Sequence, residues 1–138
     1  MILDVRFLEE DDYDNILSKW WLDWGWSSPP SRAFLPKDGT GGMIVYEGDT
    51  PICAGFVYET NSKCAWVEWI VSNRQYREKP NRYIAIQLLI GNLTDLCDIK
   101  GFKYIYSNNN NKHLIEHFKK QGFIVGSTNS TELIKKWD

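Results

Sequence analysis

A lone carboxylate among aromatic side chains, in the run Ala65-Trp66-Val67-Glu68-Trp69-Ile70-Val71, is the pattern in this sequence with the greatest chemical capacity. Read as a β-strand, its period of two sets Trp66, Glu68 and Ile70 on one face and Val67, Trp69 and Val71 on the other. Aromatic neighbours exclude water, and desolvation disfavours the charged carboxylate, raising its pKa toward the neutral range where a general base works. The competing reading of Glu68 is a cross-strand partner for Lys or Arg. Tyr58, on the preceding strand, is a candidate acid or else a sheet-face aromatic. Trp24 and Trp26 flank Gly25 with no regular element to bury them, so a substrate pocket or an interface is expected there, whereas Trp20 and Trp21 fit a helix core stripe. Asp23 beside them is a carboxylate for a cationic amine or a solvated acid.

Other patterns carry less chemistry. His113 and His117 stand four apart on a helix but have no third ligand nearby, so an exposed face is expected rather than a metal site. Cys53, Cys64 and Cys97 show no Cys-x-x-Cys spacing. Gly39-Thr40-Gly41-Gly42 precedes a strand and opens no helix, which predicts a flexible connection rather than a phosphate loop.

These residues need elements to position them. Leu3, Val5 and Phe7 alternate on a first strand, and Glu9 to Asp12 provide an acidic helix start. Tyr13, Ile16, Leu17, Trp20 and Trp21 keep helical spacing up to Gly25. Residues 25–42 form a long connection. Three strand-like runs, 43–46, 52–59 and 65–71, are joined by turns at Gly48-Asp49 and Asn61-Ser62. Pro80 suits the first turn of a helix that runs through Leu96 and Cys97 to Gly101. A short strand at 102–106, a helix capped within asparagines 108–111 and ended by Gly122, and a last hairpin from 123–125 and 131–137 complete the chain. The order predicts an α+β domain over 1–138, with a mixed, mostly antiparallel sheet of six to seven strands flanked by helices.

At 138 residues, with 43% hydrophobic and 25% charged residues, the chain suits one folded domain. A net charge of −2 argues against a nucleic-acid partner. The N-terminus lacks a signal-peptide pattern and no apolar run is long enough to span a membrane, so a cytoplasmic protein without a membrane partner is expected.

The C-terminal segment Asn111-Lys112-His113-Leu114-Ile115-Glu116-His117-Phe118-Lys119-Lys120-Gln121-Gly122-Phe123 resembles a segment of the GNAT superfamily of N-acetyltransferases, in which Asn opens a helix and an aromatic residue precedes Gly-Phe. Arg6-x-Leu8 before acidic residues is similar to that family's opening, Val71 to Arg77 is similar to its lead-in to coenzyme A, and the element order resembles it over essentially the whole chain. Where the family has small residues after that lead-in, Pro80 and Arg82 stand here, and Phe118 stands where many members have a tyrosine acid. The resemblance implies acetyl transfer from acetyl-CoA to a primary amine on a small molecule or protein, by direct attack, with Glu68 as base. It also implies a carbonyl-polarising N–H near Ile70 or Val71 if the strand splays there. Arg77, Glu78, Lys79, Asn81, Arg82, Asn111 and Phe118 would meet the coenzyme, and Trp24, Trp26 and Tyr58 the acceptor. The alternative is an inactive module of the same fold that binds coenzyme A or a protein. A homodimer is compatible with either.

Overall fold

The computed structural model describes residues 2–137. Five strands, β1 (Leu3–Phe7), β2 (Gly42–Glu47), β3 (Thr50–Glu59), β4 (Cys64–Ser72) and β5 (Tyr104–Tyr106), form one sheet in that order. The first four pair antiparallel and β5 joins β4 in parallel, as a helical crossover requires. The sheet therefore has five strands and not six to seven. The expected hairpin is the difference: residues 123–137 contain no strand. Ile124, Leu133, Ile134 and Trp137 are largely exposed there, so alternating composition found no sheet partner.

The crossover is α2 (Lys79–Ile99), and α3 (Lys112–Lys120) packs beside it. Ala85, Leu89, Ile90, Leu93 and Cys97 of α2 bury against Val45, Val57, Ala65 and Val67 of the sheet. Each fully buried Leu or Ile contributes about 1.5–3 kcal/mol. Gly101 and Gly122, at φ 90° and 93°, end α2 and α3 in the left-handed conformation expected of them. On the opposite face, a π-helical turn (Tyr13–Leu17) leads into α1 (Ser18–Asp23), which buries Leu17, Trp20 and Trp21 against Ile44, Ala54, Phe56 and Val71. Asp12 anchors that entry: its carboxylate accepts from both Arg6 guanidinium nitrogens at 2.8 and 3.0 Å and from Glu9 N–H at 2.7 Å. Burial works to raise the Asp12 pKa, and these bonds outweigh it, leaving the group below its ordinary value.

Two expectations about local structure are corrected. Two short 3-10 turns occupy 32–34 and 36–39, and the glycine run that follows is a close-packed corner and not a flexible connection. A Cβ on Gly42 would stand 1.9 Å from the Gly55 carbonyl oxygen, and one on Gly41 would stand 2.6 Å from Pro36 Cβ. The second correction concerns β4. Its register shifts between Ala54↔Val71 and Phe56↔Glu68, so two residues, Trp69 and Ile70, oppose Gly55 alone. This β-bulge resets the alternation. Trp69 and Val71 face the α1 cluster while Val67 and Ile70 face the α2 cluster, so Ile70 does not share a face with Glu68. No described helix is long and apolar enough to cross a membrane.

Candidate active site

The bulge forms where β5 leaves β4. Pairing in parallel covers only Cys64↔Tyr104 to Trp66↔Tyr106, after which Ser107 Oγ donates to Val67 O at 2.6 Å and the chain turns away. From Glu68 to Val71, β4 therefore has no strand on that side. Trp69 holds φ at 60°, a left-handed value that is costly for a bulky side chain and is maintained only where packing enforces it. Its indole is enclosed by Trp21, Trp26 and Phe34, at centroid distances of 6.3, 5.7 and 5.8 Å.

Glu68 lies at this opening, half-buried. Burial pushes its carboxyl up to about 7, against the lowering effect of the Asn108 N–H, which donates to Oε1 at 2.8 Å, and with a further rise from the charge of Glu132. No Lys or Arg among the described residues forms an ion pair with it, so the cross-strand-partner reading has no support. At neutral pH such a carboxyl divides between acid and base forms.

Tyr58 is fixed nearby. Its hydroxyl donates to Phe34 O at 2.8 Å and accepts from Trp69 Nε1 at 2.8 Å. Burial raises its pKa, as does the charge of Glu68, while the Trp69 bond works against both. In this arrangement its proton is directed at a backbone carbonyl.

At the far end of β4, a cleft of about 610 Å³ is lined by Asp23, Arg74, Gln75, Arg77, Lys79 and Arg82. It opens at the N-terminus of α2, where Glu78 is the cap residue and no side chain satisfies the first turn. Pro80 has no N–H, but those of Lys79 and Asn81 have no acceptor among the described residues. Arg74 Nη1 donates to Asp23 O at 2.7 Å and its guanidinium lies over the Trp24 ring at 5.3 Å. Four cations around a helix N-terminus suit a phosphate-rich ligand, with charge and side-chain donors substituting for glycine-exposed backbone.

The sequence-predicted residues thus separate into three groups. Glu68, Ile70, Val71, Tyr58 and Trp26 gather at the bulge. Arg77, Lys79 and Arg82 line the basic cleft, Glu78 and Asn81 are their neighbours in the chain without lining it, and Trp24, whose Nε1 donates to Ser72 O at 2.8 Å, lies near its edge under Arg74. Asn111 and Phe118 are occupied elsewhere. Asn111 caps α3 by accepting from Leu114 N–H at 3.1 Å, and Phe118 lies in the core with its ring edge-on to Phe123 at 4.9 Å. His117 is not on an exposed face: it is buried, with Nδ1 2.7 Å from Gln87 Nε2 and its ring 4.7 Å from Tyr83. Arg74, Tyr106 and Asn108 were not singled out in the sequence. Arg74 had a signal, since it extends the run of cations before α2, whereas Tyr106 and Asn108 depend on where β5 ends.

Comparison with solved structures shows which proteins share this fold. No model of a protein family matches the sequence, and no curated protein matches it. In three dimensions it is similar to N-acetylglutamate synthase from Neisseria gonorrhoeae in complex with coenzyme A and N-acetyl-glutamate, at TM-score 0.69 and 15% identity, over 92% of this chain and 29% of that one. It is similar to the ribosomal-protein-S18-alanine N-acetyltransferase from Escherichia coli, at TM-score 0.67 and 12% identity, over 91% and 80% of the two chains. An aminoglycoside acetyltransferase from an uncultured soil metagenomic sample, in complex with trehalose, gives 0.63 and 12% over 99% and 97%. The chain has the GNAT-type acetyltransferase fold.

Proposed function

We propose that this protein transfers an acetyl group from acetyl-CoA to a primary amine by direct attack, with Glu68 as the base. The observation that carries the reading is Glu68 itself, a carboxyl that burial pushes up to about 7, with no cationic partner among the described residues, beside a strand opening. The donor lies along that opening with its phosphates in the basic cleft, held by Arg77, Lys79, Arg82 and the free N–H groups of Lys79 and Asn81. A backbone N–H of β4 at Ile70 or Val71, without a β5 partner, polarises the thioester carbonyl. Glu68 removes the ammonium proton, the amine attacks the carbonyl carbon, the C–S bond breaks, the thiolate of coenzyme A leaves, and the second proton of the attacking nitrogen passes through water toward that thiolate. Phe118 cannot return a proton to that thiolate, so water does.

The same absence of a hydroxyl at Phe118, with Pro80 in the first turn of α2, supports a second reading: an inactive module that keeps the cleft for coenzyme A or a partner protein. Two measurements separate them. Acetyl-CoA at 100 times its dissociation constant should stabilise the protein by about 2.7 kcal/mol. Release of free thiol on addition of amines should follow, and a thermal shift without thiol release would establish the module instead.

A further inference from the structure

The face of the sheet that carries Glu68 is lined by aromatic rings on both sides of the carboxylate. On one side Trp26 and Phe34 pack on Trp69, at interplanar angles of 58° and 81°, and each leaves roughly half its surface to solvent, 44% and 51%. On the other, Trp66 stacks on Tyr106 at 4.9 Å and 24°, and these rings are also exposed. The register explains the grouping. Trp66 precedes Glu68 by two residues and lies opposite Tyr58 on β3 and Tyr106 on β5, so these side chains project from the same face. The result is an aromatic trough with Glu68 on its floor.

Its polar inventory is small. The Tyr58 hydroxyl is used twice and Trp69 Nε1 once, both within the protein. A polyhydroxylated acceptor would find few partners here, and a polyamine would find only Glu68 and Glu132 for its charges. An ammonium group matches the unpaired Glu68 and the electron-rich ring faces, and a flat apolar body matches the walls.

We propose that the acceptor is a monoamine on an aromatic body, an arylalkylamine, with its nitrogen at Glu68 and its ring between the Trp26/Phe34 and Trp66/Tyr106 walls. This deepens the acetyl-transfer reading and rests on it. The test uses the purified chain with acetyl-CoA and four amines: 2-phenylethylamine, tryptamine, n-butylamine and spermidine. A favourable aromatic pair is worth about two- to twelvefold, so two walls give the aromatic amines about a tenfold or greater advantage in kcat/KM over n-butylamine. Phe34→Ala and, on the other wall, Tyr106→Ala each lower kcat/KM for tryptamine by about three- to tenfold more than for n-butylamine, chiefly through KM. An unchanged thermal shift with acetyl-CoA shows that each variant is folded. Equal kcat/KM across the panel, or preference for spermidine, overturns the arylalkylamine while leaving acetyl transfer intact. If no amine is turned over, the catalytic reading fails, and calorimetric titration of 2-phenylethylamine into the coenzyme A complex still decides the trough. Binding that Phe34→Ala weakens supports it, and no binding refutes it.

Discussion

Replacing the Glu68 carboxyl by an amide of the same shape keeps an acceptor for the Asn108 N–H but removes the titration. The folded-state pKa of about 7 lies above the ordinary value of 4.5, so the native state holds this proton more tightly than the unfolded chain does. The stability contributed by the protonated form is fully present below about 4.5 and is lost as pH rises through about 7. At ~1.36 kcal/mol per pKa unit the full difference is roughly 3 kcal/mol. Solvent still reaches the half-buried carboxyl and screens it, and about 1 kcal/mol is the discounted value. Glu68→Gln should therefore be more stable than the wild type by about 1 kcal/mol at pH 8, a rise in Tm of roughly 3 °C for a chain of this size, and equal to it at pH 4. The groups facing Glu68 are the Asn108 N–H, Tyr58 and Glu132, and Tyr58 stays protonated throughout this range. The assay is thermal unfolding of both proteins from pH 4 to 8, paired with thiol release over the same range. Wild-type kcat/KM rises through an apparent pKa near 7, and the variant loses turnover while retaining its acetyl-CoA shift. A pH-independent difference in Tm refutes the desolvation argument, and turnover within threefold of wild type refutes the general-base role.

Arg77→Ala and Arg82→Ala should each weaken acetyl-CoA binding by roughly five- to tenfold, and salt raised from about 50 to 500 mM should weaken it in the wild type, because the proposed phosphate site includes exposed cations beside the backbone N–H groups; calorimetry at two salt concentrations checks both. Tyr58→Phe should change kcat by less than about threefold, since its proton is already directed at Phe34 O, and a loss of 100-fold in steady-state turnover would restore it as an acid. Gly42→Ala should destabilise the fold by about 3 kcal/mol or more, because its Cβ would meet the Gly55 carbonyl oxygen and neither backbone can yield, as denaturant unfolding would show.

Much of this was legible wherever composition reports burial. The stripe from Ile86 to Cys97 and the stop at Gly101 marked out α2, and the three strand-like runs marked out β2 to β4. The bulge was not legible. One extra residue in a strand has no compositional mark, and tryptophan is a residue that ordinarily argues against φ of 60°, so simple alternation put Ile70 on the wrong face. The C-terminal hairpin failed for the opposite reason: Phe123 to Trp137 has the composition of strands, but composition does not supply a neighbouring edge. Phe118 and Asn111 show a further limit, since a spacing that matches a family's segment says nothing about whether a side chain caps, packs or faces a ligand.

The bulge in β4 has a consequence for how this chain tolerates changes in length. Its upstream half presents Glu68 and its downstream half closes the core with Val71, and the two halves agree only because the strand carries one residue more than its partner. Deleting a residue at Trp69 or Ile70 would restore an unbroken ladder with β3, relieve a left-handed backbone and bring the free edge into register. Such a shortened strand would be a better strand in a poorer protein, with the splayed backbone beside Glu68 drawn straight against β3.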